Sequence, residues 1–180
     1  MWKMNPADEM LQCYDGNGVP TEGRLRTDRD PEAPRWWVGV TRIIIVDSAG
    51  RWLCSRRGAG VDTNPGKWQT HVGGHVALGE THIQCAEREL FEETGWRVAR
   101  EKFLLVRKDR IPSRMVFAET YVVKFAGDDS AFRFDRREIA EIKWMTPEEY
   151  WDDKMDNSND WVNGANEQLL WQVEDLLKKV

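Results

Sequence analysis

The chain has 180 residues, 32% of them charged and 41% hydrophobic, with a formal net charge of -5 at pH 7. That length supports one hydrophobic core and excludes two ordinary domains, and the acidic balance gives no electrostatic case for nucleic acid as a bulk partner, so any anionic ligand must be met by local cations. No apolar run approaches the roughly 18 residues of a membrane span, MWKMNPADEM lacks the apolar stretch of a signal peptide, and Cys13, Cys54 and Cys85 form neither a C-x-x-C pair nor a disulfide framework, all of which points to a cytoplasmic protein.

Turn chemistry fills YDGNGVPTEG (Tyr14 to Gly23), so LQCY before it and RLRT after it are expected to pair as a short hairpin. RDPEAPR then carries the chain to WWVGVTRIIIVDSAGRWLCSRR, two β-rich runs around a DSAG turn, the first apolar enough to be central. GAGVDTNPGKW reads as a loop, and QTHVGGHV as a short strand ending in a double glycine.

A helix of about thirteen residues follows, opened by Thr81 and Gln84 at the spacing of a capping box and stopped by Gly95. Strands are expected at Val98 to Val106, at Met115 to Phe125 and at EIAEIKWM. TPEEYWDD opens a second helix with Thr146 as N-cap, Pro147 at the first position and Glu149 closing a capping box. Leu169, Leu170, Val173, Leu176 and Leu177 mark a terminal helix from about Ala165 to Lys179. Mixed β with helices between and after implies an α/β architecture, a sheet packed by helices on both faces.

The first helix is unusual. Ile83, Ala86, Leu90 and Thr94 share one arc, facing the sheet, while Glu89, Glu92 and Glu93 are expected to look out beside it. Like charges at this spacing oppose one another, and they sit at the end of the helix dipole that disfavours anions. Arg88 offsets part of this, but it is one cation against several carboxylates, and clustered hard oxygen ligands suit Mg²⁺ or Mn²⁺. A solvated acidic face is the alternative.

From Gly74 there are five residues, Glu80, seven residues, then Arg88-Glu89-Leu90-Phe91-Glu92-Glu93-Thr94-Gly95-Trp96. This resembles the Nudix box, the signature of the Nudix hydrolase family, with every fixed position filled; seven fixed letters would coincide by chance roughly once in 10⁹ windows. Trp96 stands where the family usually has an aliphatic residue. IIIVDSAGRWLCSRR, NPGKWQTHVGGHV and EIAEIKWMTPEEY also sit in the family's order and spacing.

The resemblance implies an α/β/α sandwich around a mixed sheet, formed by one domain over 1–180: an N-terminal hairpin and connector (1–35), a core (36–150) and a C-terminal helix (151–180). It implies a pyrophosphohydrolase that cleaves a nucleoside diphosphate linked to another moiety, using Mg²⁺ or Mn²⁺. Gly74, by its carbonyl, with Glu89, Glu92 and Glu93 would hold metal. Glu89, or a glutamate outside the box, would deprotonate the attacking water, and Arg88 would pair with Glu80 to hold the loop against the helix. Such chemistry uses metal to neutralise phosphate oxygens and acidify water.

Glu138, six residues ahead of Trp144, is the candidate for a further catalytic glutamate, with Glu141 as competitor. Arg56, Arg57 and Lys67 flank the approach to the box and are candidate phosphate holders, against plain surface charge. His71 and His75 read as packed histidines, Cys85 as a small helix residue and Trp36 and Trp37 as packing aromatics.

Tyr14 to Gly23 together with NPGKWQTHVGGHV is similar to the branch containing isopentenyl-diphosphate isomerase. That enzyme needs a reactive cysteine and upstream histidine ligands, whereas WQTHVGGHV has no cysteine and no histidine precedes His71. A non-catalytic nucleotide-binding module is the third possibility, and the intact carboxylates argue against it. The expected partner is a small nucleotide-derived diphosphate, the expected assembly a monomer or homodimer.

Overall fold

A computed structural model describes residues 8–30, 32–61, 63–162 and 165–179. The segment 1–7, which carries most of the leader-free reading of the N-terminus, lies outside them. No helix among the described residues is long and apolar enough to cross a membrane.

The N-terminal hairpin forms only in part. β1 (Met10–Leu11) pairs antiparallel with β3 (Arg24–Leu25), but β2 (Cys13–Tyr14) turns away and pairs with Trp37 and Val38 of the central strand. The intervening turn is held by Asp15, whose carboxylate accepts from the backbone of Asn17 and Val19 at 2.8 and 2.9 Å.

β4 (Trp37–Asp47) is the central strand and β5 (Trp52–Arg57) returns from it; β6 (Trp68–Gln69), β7 (Leu104–Ile111), β8 (Val116–Phe125) and β9 (Ile139–Met145) complete the sheet. β8 runs parallel to β4 from Val38↔Val116 to Asp47↔Phe125, and the remaining pairings are antiparallel. The expected strand at 98–106 begins later, at Leu104, because Arg100–Lys102 form a short 3-10 turn.

Alternation along β4 divides the core. Ile43 and Ile45 face α1 (His82–Thr94) together with Leu53, Ala86, Leu90 and Phe103. Ile44 and Val46 face the other way, where they pack with Tyr150 of α2 (Pro147–Asp156) and with Leu169, Leu170 and Val173 of α3 (Glu167–Leu177). The result is the α/β/α sandwich, with α1 on one face and α2 and α3 on the other.

One edge of β4 positions the site. β5 pairs with β4 only at Val46↔Trp52 and then diverges to pair with β9 and β6. The segment after β6 fills the opening: Ile43 and Val72 exchange backbone hydrogen bonds at 2.8 and 3.0 Å, Thr41 donates to the Gly74 carbonyl at 2.9 Å, and Val76 donates to Gly39 at 3.0 Å. The strand expected across QTHVGGHV is therefore short at β6 and continues as separate bridges along β4.

Candidate active site

α1 is fixed at both ends. Thr81 accepts from the Gln84 backbone N–H while the Thr81 backbone N–H donates to Gln84 Oε1 at 2.9 Å, a complete capping box. Gly95 closes the helix in the left-handed conformation and donates to Phe91 at 2.8 Å. Thr41 of β4 adds a hydroxyl bond to the His82 carbonyl at 3.1 Å, so the helix is registered against the strand that also binds the Gly74 loop.

That loop lies directly on the carboxylates. Gly73 has φ 142°, and a Cβ there would fall 2.1 Å from the Thr41 carbonyl oxygen; a Cβ on Gly74 would fall 2.3 Å from Glu89 Oε1. The two glycines are needed because backbone must approach both the strand and a carboxylate more closely than any side chain permits. The Gly73 N–H donates to Glu93 Oε1 at 3.0 Å.

This corrects the expectation that the glutamates look outward. Glu89 and Glu93 are only 3% and 5% exposed, enclosed by the loop, while the Glu92 side chain keeps 17%. A helical projection locates their arc but carries no information about a loop folded over it.

Arg88 is the hub. Its Nε donates to Glu80 Oε1 at 2.8 Å, one Nη bonds Glu89 at 2.7 Å and Glu92 at 3.2 Å, and the other reaches Glu80 Oε2 at 3.0 Å and the His75 carbonyl at 3.1 Å. Burial alone pulls the guanidinium pKa down, but the hydrogen bonds it donates to Glu80 and the charge of Glu89 outweigh it and raise it. For Glu80, burial pushes upward while Arg88 and the Ala77 N–H pull its pKa below the ordinary carboxylate value. Arg88 thus ties the loop to the helix and compensates three carboxylates at once.

The loop before β9 docks on the end of α1, with Arg133 donating to the Thr94 carbonyl at 2.7 Å and Asp135 to the Glu93 carbonyl at 3.0 Å. Glu138 sits three residues further, half-buried, its carbonyl accepting from Gly58 at 2.7 Å. Glu141 instead pairs with Arg56 at 3.6 Å on the exposed side of β9.

The three basic candidates separate. Arg56 follows Cys54 in strand alternation, on the face away from α1, and donates to the Gly66 carbonyl at 2.9 Å. Arg57 is tied to the Thr63 carbonyl at 2.7 Å and to Gln69 Oε1 at 3.2 Å. Lys67 contributes its carbonyl to the Arg57 N–H at 2.9 Å. The structure therefore joins Glu80, Arg88, Glu89, Glu92, Glu93 and Gly74 in one web and leaves the bases distributed around the loop beside it.

His71 and His75 are held neutral, their pKa values lowered to about 3 by burial first and then by nearby arginines. Cys85 is fully buried with its thiol 3.3 Å from the His75 carbonyl, and burial followed by the charge of Glu89 raises its pKa. The Gly73 N–H as a partner of Glu93, and Thr41 as the anchor of both loop and helix, escaped the sequence reading; a threonine inside an otherwise apolar strand was the available signal.

The donor chemistry fits a hard divalent cation: three carboxylates on one turn, two of them buried, under a loop with room only for hydrogen at Gly74. Among the described residues no three His, Cys, Asp or Glu side chains converge as a ready coordination shell. Arg88 occupies the space between Glu89 and Glu92.

Comparison with known proteins agrees with this geometry. Residues 36–162 match the NUDIX domain family. An uncharacterised Nudix hydrolase of Pseudomonas aeruginosa is 35% identical over 112 residues, covering 60% of this chain and 62% of the relative. One from Yersinia pestis is 29% identical over 137 residues, covering 72% and 73%. The chain spans only 15% of Nudix hydrolase 3 of Arabidopsis thaliana, at 27% identity over 59% of this chain. In fold, a crystal structure from Deinococcus radiodurans superposes with a TM-score of 0.71 at 23% identity, covering 93% of this chain and 99% of that one. The residues of the box, the loop pressed onto them and the match over the greater part of the sequence place this chain in the Nudix hydrolase family.

Proposed function

We propose that the chain is a metal-dependent pyrophosphohydrolase acting on a nucleoside diphosphate linked to another moiety, with Glu89, Glu92 and Glu93 and the Gly74 region holding Mg²⁺ or Mn²⁺. The observation that carries this reading is the enclosure of Glu89 and Glu93 beneath the diglycine loop, since with Glu92 they set three carboxylates side by side and one guanidinium, Arg88, is shared between Glu80, Glu89 and Glu92. Bound metal would neutralise the diphosphate and acidify the attacking water. Within the chain, Glu89 or Glu138 accepts the proton of that water, Arg88 holds the ligand carboxylates in place, and the glycines keep side chains out of the approach. Arg56, Arg57 and Lys67 are the bases proposed to hold phosphate.

Relatives support the class. A Vibrio vulnificus NAD-capped RNA hydrolase is 35% identical over 79 residues, 43% of this chain and 28% of its own length. The isomerase alternative is disfavoured by its need for a reactive thiol: Cys13, Cys54 and Cys85 are all buried with raised pKa values. We further read residues 1–180 as one functional unit, cytoplasmic and monomeric or homodimeric. A hydrolysis screen over nucleoside diphosphates, nucleotide sugars and dinucleotides, with and without Mg²⁺ or Mn²⁺, tests the proposal. Turnover of a diphosphate that stops on chelation and resumes on metal addition is expected; turnover indifferent to metal would falsify the mechanism.

A further inference from the structure

Two segments of backbone close on α1, and each approach depends on a glycine. Among the described residues, Gly58 and Gly73 are the glycines where an added Cβ would fall within 3.0 Å of main-chain atoms, 2.1 Å from the Thr41 carbonyl oxygen at Gly73 and 1.9 Å from the Arg137 carbonyl oxygen at Gly58. Gly73 belongs to the loop that covers the carboxylates. Gly58 is buried just past the end of β5, and its contact is with the segment that carries Glu138.

That segment, residues 133–138, is a strap between α1 and β5. Its near end hangs on the helix terminus, where the Arg133 N–H donates to the Thr94 carbonyl at 2.7 Å and the Asp135 N–H to the Glu93 carbonyl at 3.0 Å. Glu93 is gripped twice, since its carboxylate separately accepts from the Gly73 N–H at 3.0 Å. The far end meets Gly58, whose N–H donates to the Glu138 carbonyl at 2.7 Å beside the Arg57↔Ile139 pairing that opens β9. Between the ends the chain turns on Asp135. The Asp135 carbonyl accepts from the N–H groups of Glu138 and Ile139 at 3.0 and 2.8 Å, and its carboxylate accepts from the Arg137 N–H at 3.0 Å and the Arg137 guanidinium at 2.7 Å. Both main-chain groups of Glu138 are therefore engaged, one inside the strap and one by Gly58.

A general base must lie within hydrogen-bond reach of the proton it takes, and a misplacement of about 1 Å can cost roughly 100-fold in rate. A side chain at position 58 would have no yielding neighbour to push aside. The atoms it meets are backbone throughout: the carbonyl oxygen and carbon of Arg137 at 1.9 and 2.7 Å and the Glu138 nitrogen at 3.4 Å. Because the near end of the strap is fixed to helix carbonyls and the Glu93 carboxylate has its own partner in Gly73, the displacement falls on Arg137 and Glu138. We infer that Gly58 is a positioning residue for hydrolysis, allowing β5 to approach the strap closely enough to set Glu138 against the carboxylates of α1. This rests on the proposed diphosphate chemistry and takes Glu138 as the acceptor of the water proton.

The test is a double-mutant cycle in the full chain. It is read as steady-state turnover, at saturating Mg²⁺ or Mn²⁺, of the diphosphate cleaved fastest among the nucleoside diphosphates, nucleotide sugars and dinucleotides of the screen. Gly58→Ala should lower kcat about 10- to 100-fold and leave KM within about twofold. Glu138→Gln should lower kcat at least as far. Adding Gly58→Ala to Glu138→Gln should then change kcat by less than about twofold, because no base is left to misplace. Gly60→Ala, in the same loop with open space around its Cβ, should keep the wild-type kcat. The rise in melting temperature on adding metal should persist in Gly58→Ala, whose candidate ligands have not moved. Where Gly58→Ala does not fold, Asp135→Ala takes its place in the cycle with the same expected non-additivity, since it removes the acceptor of the Arg137 N–H and loosens the strap without filling space. Losses that multiply in the double variant, an unchanged kcat in Gly58→Ala, a near-wild-type Glu138→Gln or a lost melting shift in Gly58→Ala overturns the positioning role and leaves the hydrolase reading standing. A wild type that cleaves no diphosphate removes both.

Discussion

α1 and α3 pack on opposite faces of the same sheet and bury different chemistry. α3 buries Leu169, Leu170 and Val173, which pack with Ile44, Val46 and Val122. α1 buries Cys85, Ala86 and Leu90 in the same manner but also Glu89, Glu93 and Thr94. Both helices have a side-chain N-cap, Asn166 in one and Thr81 in the other. What distinguishes them is that a loop covers the polar arc of α1, whose carboxylates share the single guanidinium of Arg88, whereas α3 is held chiefly by apolar packing, with one hydrogen bond from Lys124 Nζ to the Leu177 carbonyl at 3.4 Å. One helix is a stabilising element; the other accepts electrostatic strain that a site for a cation would relieve.

The contrast is sharpest in what substitutions should do. Glu93→Gln keeps an oxygen for the Gly73 N–H and removes a ligand charge, so kcat is expected to fall by roughly 100-fold or more while the metal-free melting temperature stays level or rises. Glu92→Gln should behave alike. Near-normal kcat in either variant at saturating metal would show that these are not the ligands.

In α3 the same logic inverts. Leu169→Ala, at a site 4% exposed, should cost about 2–5 kcal/mol in chemical denaturation and leave kcat per folded molecule unchanged. A loss of turnover beyond the loss of folded protein would mean the two faces are coupled.

Metal should separate the helices thermally. At a hundredfold excess over Kd, Mg²⁺ or Mn²⁺ is expected to stabilise the wild type by about 2.7 kcal/mol, roughly 5 to 11 °C at 2 to 4 °C per kcal/mol, with most of the shift absent in Glu93→Gln and retained in Leu169→Ala. A wild-type melting curve that ignores the cation would return the carboxylates to a purely structural role. Smaller again, Thr81→Ala should cost about 0.5–2 kcal/mol by opening the N-terminus of α1, read as faster amide exchange in its first turn.

A further expectation concerns pH and the segment between the faces. His71 has its pKa lowered from 6.5 to about 3 by burial and by Arg42 and Arg57. The unfolded chain therefore takes up the proton first, and this contribution to stability is complete above pH 6.5 and declines as pH falls toward 3. His71→Gln should flatten that part of the stability profile; an unchanged slope would place the acid sensitivity in other groups.

Much of this was legible in the residues. The capping boxes at Thr81–Gln84 and Thr146–Glu149 and the alternating runs of β4 and β5 are local patterns, and local steric and hydrogen-bond preferences act on them before any distant segment is involved. The box likewise stands in one contiguous stretch. By itself the sequence therefore determined the fold class and the family.

Only the tertiary structure decided which groups meet. β2 left its hairpin for β4, because an edge of the central strand offered backbone partners that a ten-residue turn region could not. Glu89 and Glu93 became buried because the Gly73–Gly74 segment filled the opening where β5 diverges from β4, and no helical projection encodes a contact made across that separation. Arg42, Thr120 and Arg107 lie far apart along the chain and became neighbours through strand register alone. Periodicity states which side of an element is apolar; which other element covers it is set by long-range pairing, where backbone hydrogen bonds and packing over the whole sheet outweigh any local preference.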